Sequence, residues 1–276
     1  MKLERAARRF DRTELLDGYT GTLLGRGQLP PFDDAKRDAE VSERRTLSVS
    51  PGFAFPSHGV VQAAGVRYIV GRGVPDQFLG GTIREGHVVH EAPFLAEIRT
   101  LGQLCLAQPG RQAWANRTWV KYMAFTEQDS TLPRQSHIAL SRSEQVPPGA
   151  AITLDGQNYI VRASDVGAAG IRTLLADDLP DPVQAELVRG TYNRVTETRT
   201  ETRTPVSIML MRWQSMFAYQ TLDSPDFGPG DELLVVPKSQ ATPAVGEHFE
   251  VSGRKWGIKS VSSHEDTWLL WSHRLG

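Results

Sequence analysis

The chain reads as a mainly β protein: tandem small barrel- or sandwich-like units joined by short helical connectors. Three observations predict this. First, Asp155-Gly156 stands between Ile152-Thr153-Leu154 and Tyr159-Ile160-Val161. Asp-Gly between two β-prone runs marks a two-residue hairpin, because both residues accept the positive φ of a type I′ turn. Second, the plan recurs. Gly59 leads into a short run followed by Gly65, Tyr68 and Val70, and Gly246 leads into Phe249 and Val251, then Gly253, Trp256 and Ile258. In every copy an aromatic follows the second glycine by three residues and a β-branched residue lies two further on. Third, each copy has a β-prone run upstream (47–49, 138–140, 233–236) and another downstream (88–89, 171–175, 268–271). The copies lie roughly 90–100 residues apart, too far for a solenoid period and about one small β domain each.

Taken in order, residues 1–18 read as a helical arm. Over 2–17, Leu3, Ala7 and Phe10 share one helical face and Gly18 suits the stop. Arg5, Arg8, Arg9 and Arg12 make this arm locally basic, either as a solvated face or as a surface that docks on an acidic partner or nucleic acid. The first β unit spans 19–92 and carries an insertion over 25–45, where a Pro-Pro turn precedes a charge-dense run that buries little apolar area. Residues 93–113 read as a connector, with Phe94, Ile98, Leu101 and Cys105 at helical spacing. The second β unit spans 114–179. A helical linker follows: Asp181 as N-cap, Pro182 at the first helical position, Gly190 as the stop. Together with an extended arm it fills 180–204, and the third β unit spans 205–276.

Residues 196–204, TETRTETRT, have a pattern of their own. As a strand, the threonines line one face, and Glu197, Arg199, Glu201 and Arg203 line the other with alternating sign. As a helix the segment would be rich in β-branched residues, a poor choice. Thr196, Glu197, Arg199, Glu201 and Arg203 are therefore candidate subunit contacts on an arm or edge strand; the alternative is an ordinary solvent-facing strand of the third unit.

The composition sets bounds. A formal net charge of −1 argues against a dedicated nucleic-acid binder. The single cysteine, Cys105, cannot form an internal disulfide, which points to a reducing compartment, and its apolar setting suits packing rather than nucleophilic chemistry. The N-terminus has no apolar run of signal-peptide length, and nowhere are there 18 consecutive apolar residues, so a soluble, non-exported chain is expected. His87 and His90, three apart on a strand, point to opposite faces and do not converge on a metal. Ser57-His58 and Ser136-His137 make no triad without a third partner placed in space. His264-Glu265-Asp266 sits where the last hairpin should turn. No phosphate loop, dinucleotide fingerprint or metalloprotease motif occurs. No cofactor, metal or catalytic centre is expected. Trp213, Trp256, Trp268 and Trp271 are core fillers for a small β unit or, alternatively, a platform on which sugars or bases stack.

The carriers Pro56…Gly59…Gly65-Val66-Arg67-Tyr68-Ile69-Val70, Pro148-Gly149…Gly156-Gln157-Asn158-Tyr159-Ile160-Val161 and Pro243…Gly246…Gly253-Arg254-Lys255-Trp256-Gly257-Ile258, with the Pro229-Gly230-Asp231 turn, resemble the small β barrels of bacteriophage neck proteins. These are the head-completion or stopper proteins of the head-tail connector. The resemblance touches all three units, although such proteins are commonly a single barrel of about half this length or less. It implies a structural virion protein assembled in the host cytoplasm: a cyclic homo-oligomer around a DNA channel, with portal or adaptor and tail proteins as partners. It implies DNA passing without sequence-specific binding, no membrane and no catalysis. A tail or baseplate accessory protein with carbohydrate-binding modules is the alternative expectation, and a β-rich enzyme a further one.

Overall fold

Short strands with inward apolar and outward polar side chains cover most of the chain. The computed structural model, which describes residues 13–29, 44–79, 82–119, 135–211 and 231–275, closes them into three antiparallel barrels of six strands. The first comprises β1 (Thr13–Asp17), β2 (Leu23–Gln28), β3 (Arg44–Val49), β4 (Val60–Ala63), β5 (Val66–Leu79) and β6 (Thr82–Glu91). The second comprises β7 (Phe94–Arg99), a one-turn helix α1 (Leu101–Cys105), β8 (Arg111–Trp119), β9 (Gln135–Ser141), β10 (Ala151–Leu154), β11 (Gln157–Val166) and β12 (Ile171–Leu179). The third comprises β13 (Val183–Asn193), β14 (Thr198–Met211), β15 (Asp231–Pro237), β16 (His248–Val251), β17 (Arg254–His264) and β18 (Thr267–Leu275). The order around each barrel is the same: two three-stranded meanders, with the third strand paired to the sixth and the first to the fourth. The fold class is the tandem β-barrel array that the sequence predicts.

The recurring hairpin is the local source of that repetition. β4–β5, β10–β11 and β16–β17 turn through Ala64-Gly65, Asp155-Gly156 and Ser252-Gly253, with φ of 48° and 82°, 51° and 73°, and 49° and 76°. Positive φ at both central residues defines the type I′ turn, whose twist matches that of the flanking strands. Tyr68, Tyr159 and Trp256 then stand opposite Val61, Ile152 and Phe249, and each pair is buried inside its own barrel. Upstream, Gly59, Ala150 and Glu247 each donate their N–H to the carbonyl three residues back, and each accepts from Val70, Val161 or Ile258. Immediately beyond these three residues the register shifts in every barrel. A bulge there bends the long strand so that it can follow the barrel wall.

The helical expectations are corrected. Residues 183–190, most of the segment read as a helix, lie in β13, because the same residues also satisfy a period of two. Ala185 and Leu187 are buried in the third core while Gln184 and Glu186 face outward. Pairing with both β14 and β16 outweighs the local cap signals. Of the helix read over 2–17, residues 13–17 are strand β1, and residues 1–12 lie outside the described residues. In the segment read as a connector, Phe94 and Ile98 sit on β7, and only Leu101 and Cys105 sit on α1. The physical reason is shared: a six-stranded barrel closes only when its first strand bridges the second and the fourth. Residues 30–43, the middle of the charged insertion, lie outside the described residues.

The barrels are joined by apolar contacts between their outer walls. Ile69 and Ala92 of the first pack on Ala139 and Ile171 of the second, and the Arg67 guanidinium lies 3.9 Å from the Trp114 ring centroid. The bulge at Gly71-Arg72 presses on the β11–β12 turn, where Arg72 N–H donates to Ala169 O at 2.6 Å. Between the second and third barrels, Leu101, Leu104, Cys105, Ala151, Ile160 and Leu179 meet Met209, Met211, Leu233, Val235, Leu269 and Trp271. Polar groups finish this seam. Thr100 and Gln103 form a capping box on α1, the Asp266 carboxylate accepts from Thr100 Oγ1 and Gly102 N–H, and Ser207 Oγ donates to Cys105 O at 2.7 Å.

Two glycine substitutions separate local conformation from packing. At Gly156 φ is 73° and nothing lies within 4 Å of an added Cβ, so Gly156→Val is expected to cost about 1 kcal/mol or more through backbone strain alone. At Gly71 φ is unremarkable but a Cβ would collide with the Ala169 carbonyl oxygen, so Gly71→Ala is expected to cost about 1–3 kcal/mol by forcing two barrels apart. Thermal unfolding of both variants tests this. An unchanged Tm in Gly156→Val would contradict the positive-φ turn, and one in Gly71→Ala the close approach of the two barrels.

Candidate assembly surface

The hairpin β13–β14 is longer than its barrel requires. Its two strands pair continuously from Val183↔Ile208 to Asn193↔Thr198. On its outer sides, however, β16 pairs only with Glu186, Leu187 and Val188, and β15 only with Met209, Met211 and the residue between them. From about residue 189 to residue 204 the hairpin is therefore a two-stranded ribbon whose edges have no strand partner among the described residues. The sequence explains where the barrel stops. Val206 and Ile208 fill the third core, whereas the even positions before them are threonines, which cannot extend that core. The tip is the turn Arg194-Val195-Thr196-Glu197, with Glu197 at φ 51° and Val195 92% exposed.

At the root, a row of charges crosses the outer wall. Glu186 on β13 lies directly opposite Glu250 on β16, a like-charged pair that would repel. Arg203 Nη1 bridges them, donating to Glu186 Oε2 at 2.6 Å and to Glu250 Oε2 at 2.7 Å, and Lys255 Nζ approaches Glu250 Oε1 at 3.0 Å from β17. The bonds from Arg203, then from Lys255, bring the Glu250 carboxyl from its ordinary 4.5 down to about 2. The carboxylates in turn raise the Arg203 guanidinium. A shallow cleft of about 350 Å³ beside this row is lined by Gln184, Ala185, Glu186, Pro205, Glu250, Ser252 and Gly253. On the inner side Arg189 is tied to Glu247 and to the Thr242 carbonyl.

The residues singled out in the sequence divide accordingly. Thr196 and Glu197 sit in the tip turn, whereas Arg199, Glu201 and Arg203 occupy alternate positions of β14. Arg203 is anchored to its own barrel, so it secures the ribbon rather than reaching beyond it. Arg5, Arg8, Arg9 and Arg12 lie outside the described residues.

The other polar clusters have local work. His58 Nδ1 accepts from Val60 N–H, which leaves its Nε2–H to donate to Asp17 Oδ2 at 2.9 Å. Burial acts to raise the Asp17 carboxyl, yet the N–H groups of Thr20 and Tyr19 and the His58 imidazole bring it to about 2. His87 lies edge-on to Phe55 with its pKa lowered by burial, while His90 Nδ1 contacts the Glu91 carbonyl and Asn116. Cys105 is buried in the seam, and desolvation pushes its thiol up to about 12. Trp256 and Trp271 are buried, and Trp268 packs on the third core with its Nε1–H donating to Ala241 O. Trp213 lies outside the described residues. Among the described residues no group of three or more His, Cys, Asp and Glu is placed to hold a metal ion.

Two features escaped the sequence reading. The charge row needed the β13–β16 pairing to be known. The pairs Arg162–Asp177 and Lys259–Asp231, whose carboxylates are buried, had a visible signal: a basic residue three positions after the repeated aromatic, at the bulge. In comparisons with known proteins, no protein family, no curated protein and no solved structure matches the chain.

The charge row predicts a pH dependence. Glu250 titrates lower in the folded than in the unfolded protein, so its stabilising contribution is full above about pH 4.5 and is lost as the pH falls toward 2. Amide exchange in β13 and β14, corrected for intrinsic rates, should accelerate over that window, and Glu250→Gln should remove this part of the dependence. Arg203→Ala should loosen the ribbon root already at neutral pH with little change in global Tm, because the guanidinium is half exposed. Unchanged protection in Arg203→Ala would assign the anchoring to other contacts.

Proposed function

We propose that the chain is a structural subunit of a tailed-bacteriophage neck, a head-tail connector component that assembles as a cyclic homo-oligomer around the DNA channel. The observation that carries this reading is the ribbon standing on a body of three barrels held together by apolar seams. A body of packed barrels with a projecting pair of strands, whose outer edges have no strand partner among the described residues, suits a part that works by contact with its neighbours. The hairpin repeat that resembles stopper proteins is present in every barrel. A net charge of −1 suits a ring through which DNA slides, because strong phosphate binding would hold it back. Portal or adaptor proteins on one face and tail proteins on the other are the expected partners. The carbohydrate-binding alternative rested on an open aromatic platform, and the burial of Trp256 and Trp271 takes away its main support.

Native mass measurement and negative-stain imaging of the purified protein test the proposal. Rings with a central hole, together with the chain's presence in purified virions, are the expected result. A monomer at every concentration that is absent from virions would overturn it.

A further inference from the structure

We infer that the edge of β14 that has no strand partner among the described residues pairs with the same edge of a second copy of this chain, antiparallel and about a two-fold axis at Thr200. This goes beyond the ring reading: an isologous contact alone gives a dimer and, added to a ring, would join two rings, and neither presupposes the other.

The direction of the backbone groups comes first. Ser207 N–H points away from β13 and donates to Gln240 Oε1 at 2.8 Å. By the two-residue period of a strand, the N–H and C=O groups of Arg203, Glu201 and Arg199 point to that same open side, and those of the threonines point to β13. Pro205 has no N–H to offer, which ends the usable edge at the root. At the other end Glu197, at φ 51°, already belongs to the turn. The pairing span is therefore residues 198–202, where Thr198, Thr200, Glu201 and Thr202 are exposed.

Within that span the charges choose the partner and the register. With the axis at Thr200, Arg199 falls opposite Glu201 twice, as the hydrogen-bonded pairs that the backbone directions require. Thr198 falls opposite Thr202, and Thr200 opposite itself. Opposite charges and Thr–Thr pairs both favour cross-strand pairing. A two-fold axis at Arg199 or Glu201 instead opposes like charges, and so does parallel in-register pairing. Within residues 198–202 the sequence is thus complementary to itself in one antiparallel register; the registers about Thr198 and Thr202 need Glu197, which belongs to the turn, or Arg203, which is anchored to its own barrel. Of the surrounding charges, Arg189 is held by Glu247. Arg203 is held closely by Glu186 and Glu250 and lies only at 3.8 Å from Glu201, an exposed contact that the closer cross-strand partner Arg199 would replace.

Cysteine trapping reads the register directly. Thr200↔Thr200 is a non-hydrogen-bonded pair, with Cα atoms ~4.5 Å apart, within reach of a disulfide. Thr200→Cys should cross-link to itself on mild oxidation. Thr198→Cys and Thr202→Cys should each self-link poorly, because like positions lie roughly 13 Å apart along the strands, yet link well when mixed. Cys105 is buried and does not compete. Charge reversal, read on the untagged protein by sedimentation, is independent of any cysteine. Glu201→Arg should weaken self-association by roughly tenfold or more at low salt and less at high salt. The double variant Arg199→Glu with Glu201→Arg, which exchanges the two charges, should restore it.

Equal cross-linking at positions 198, 200 and 202, or no rescue by the double variant, would overturn the inference. Rings that form without the Thr200 cross-link would leave the neck reading standing and remove this contact. Cross-linking without rings would support the contact and leave the neck reading to its own test.

Discussion

A β-sheet has to dispose of its edges, and each unit of this chain does so by pairing its first strand with its fourth. Leu15, Leu16 and Asp17 meet Ala63, Gln62 and Val61; Arg99, Ile98 and Glu97 meet Ala151, Ile152 and Thr153; Glu186, Leu187 and Val188 meet Glu250, Phe249 and His248. These short ladders turn two meanders into a closed wall, satisfy edge groups that would otherwise face water, and enclose the aromatic of the recurring hairpin. Without them each unit would be an open sheet with two templates for aggregation. The β-bulge after Val70, Val161 and Ile258 supplies the bend that closure needs.

Closure also frees the outer walls for a second use. With the interiors filled, apolar residues facing outward find partners on the next barrel: Ile160 and Leu179 against Met209 and Trp271, Ile69 against Ile171. The bulge and the turn that shape one barrel become contact points for its neighbour, as at Gly71 and Ala169. The α1 helix, a single turn with a capping box, is wedged into the larger seam and tied to Asp266 of the third barrel's last hairpin. Against this background the ribbon is the exception. Among the described residues both of its strands run past their outer neighbours, and at its root side chains on four strands reinforce the short β13–β16 ladder.

Arg203 shows how far the candidate surface was legible. The alternation of Glu and Arg in residues 196–204 was plain, as was their strand character. Its anchoring to Glu250 was not, because that residue lies 47 positions away on a strand whose neighbour cannot be known before the barrel closes. The basic residues at the bulge, Arg162 and Lys259, were readable as a position but not as a pairing, since Asp177 and Asp231 come from different strands of their barrels.

What the sequence by itself determined is what depends on neighbours along the chain: three type I′ turns, the aromatic that follows each, and the two-residue period that makes strands of their flanks. Glycine's access to positive φ and the alternation of a pleated strand are local properties, so they survive without knowledge of the fold. The tertiary structure decided the rest. Asp181, Pro182 and Gly190 spell a helix on local grounds, and β13 is a strand only because β14 and β16 offer hydrogen bonds on both sides. Likewise β1 and β7 take strand form because each barrel needs a sixth strand, and that demand is placed by residues far away in the sequence.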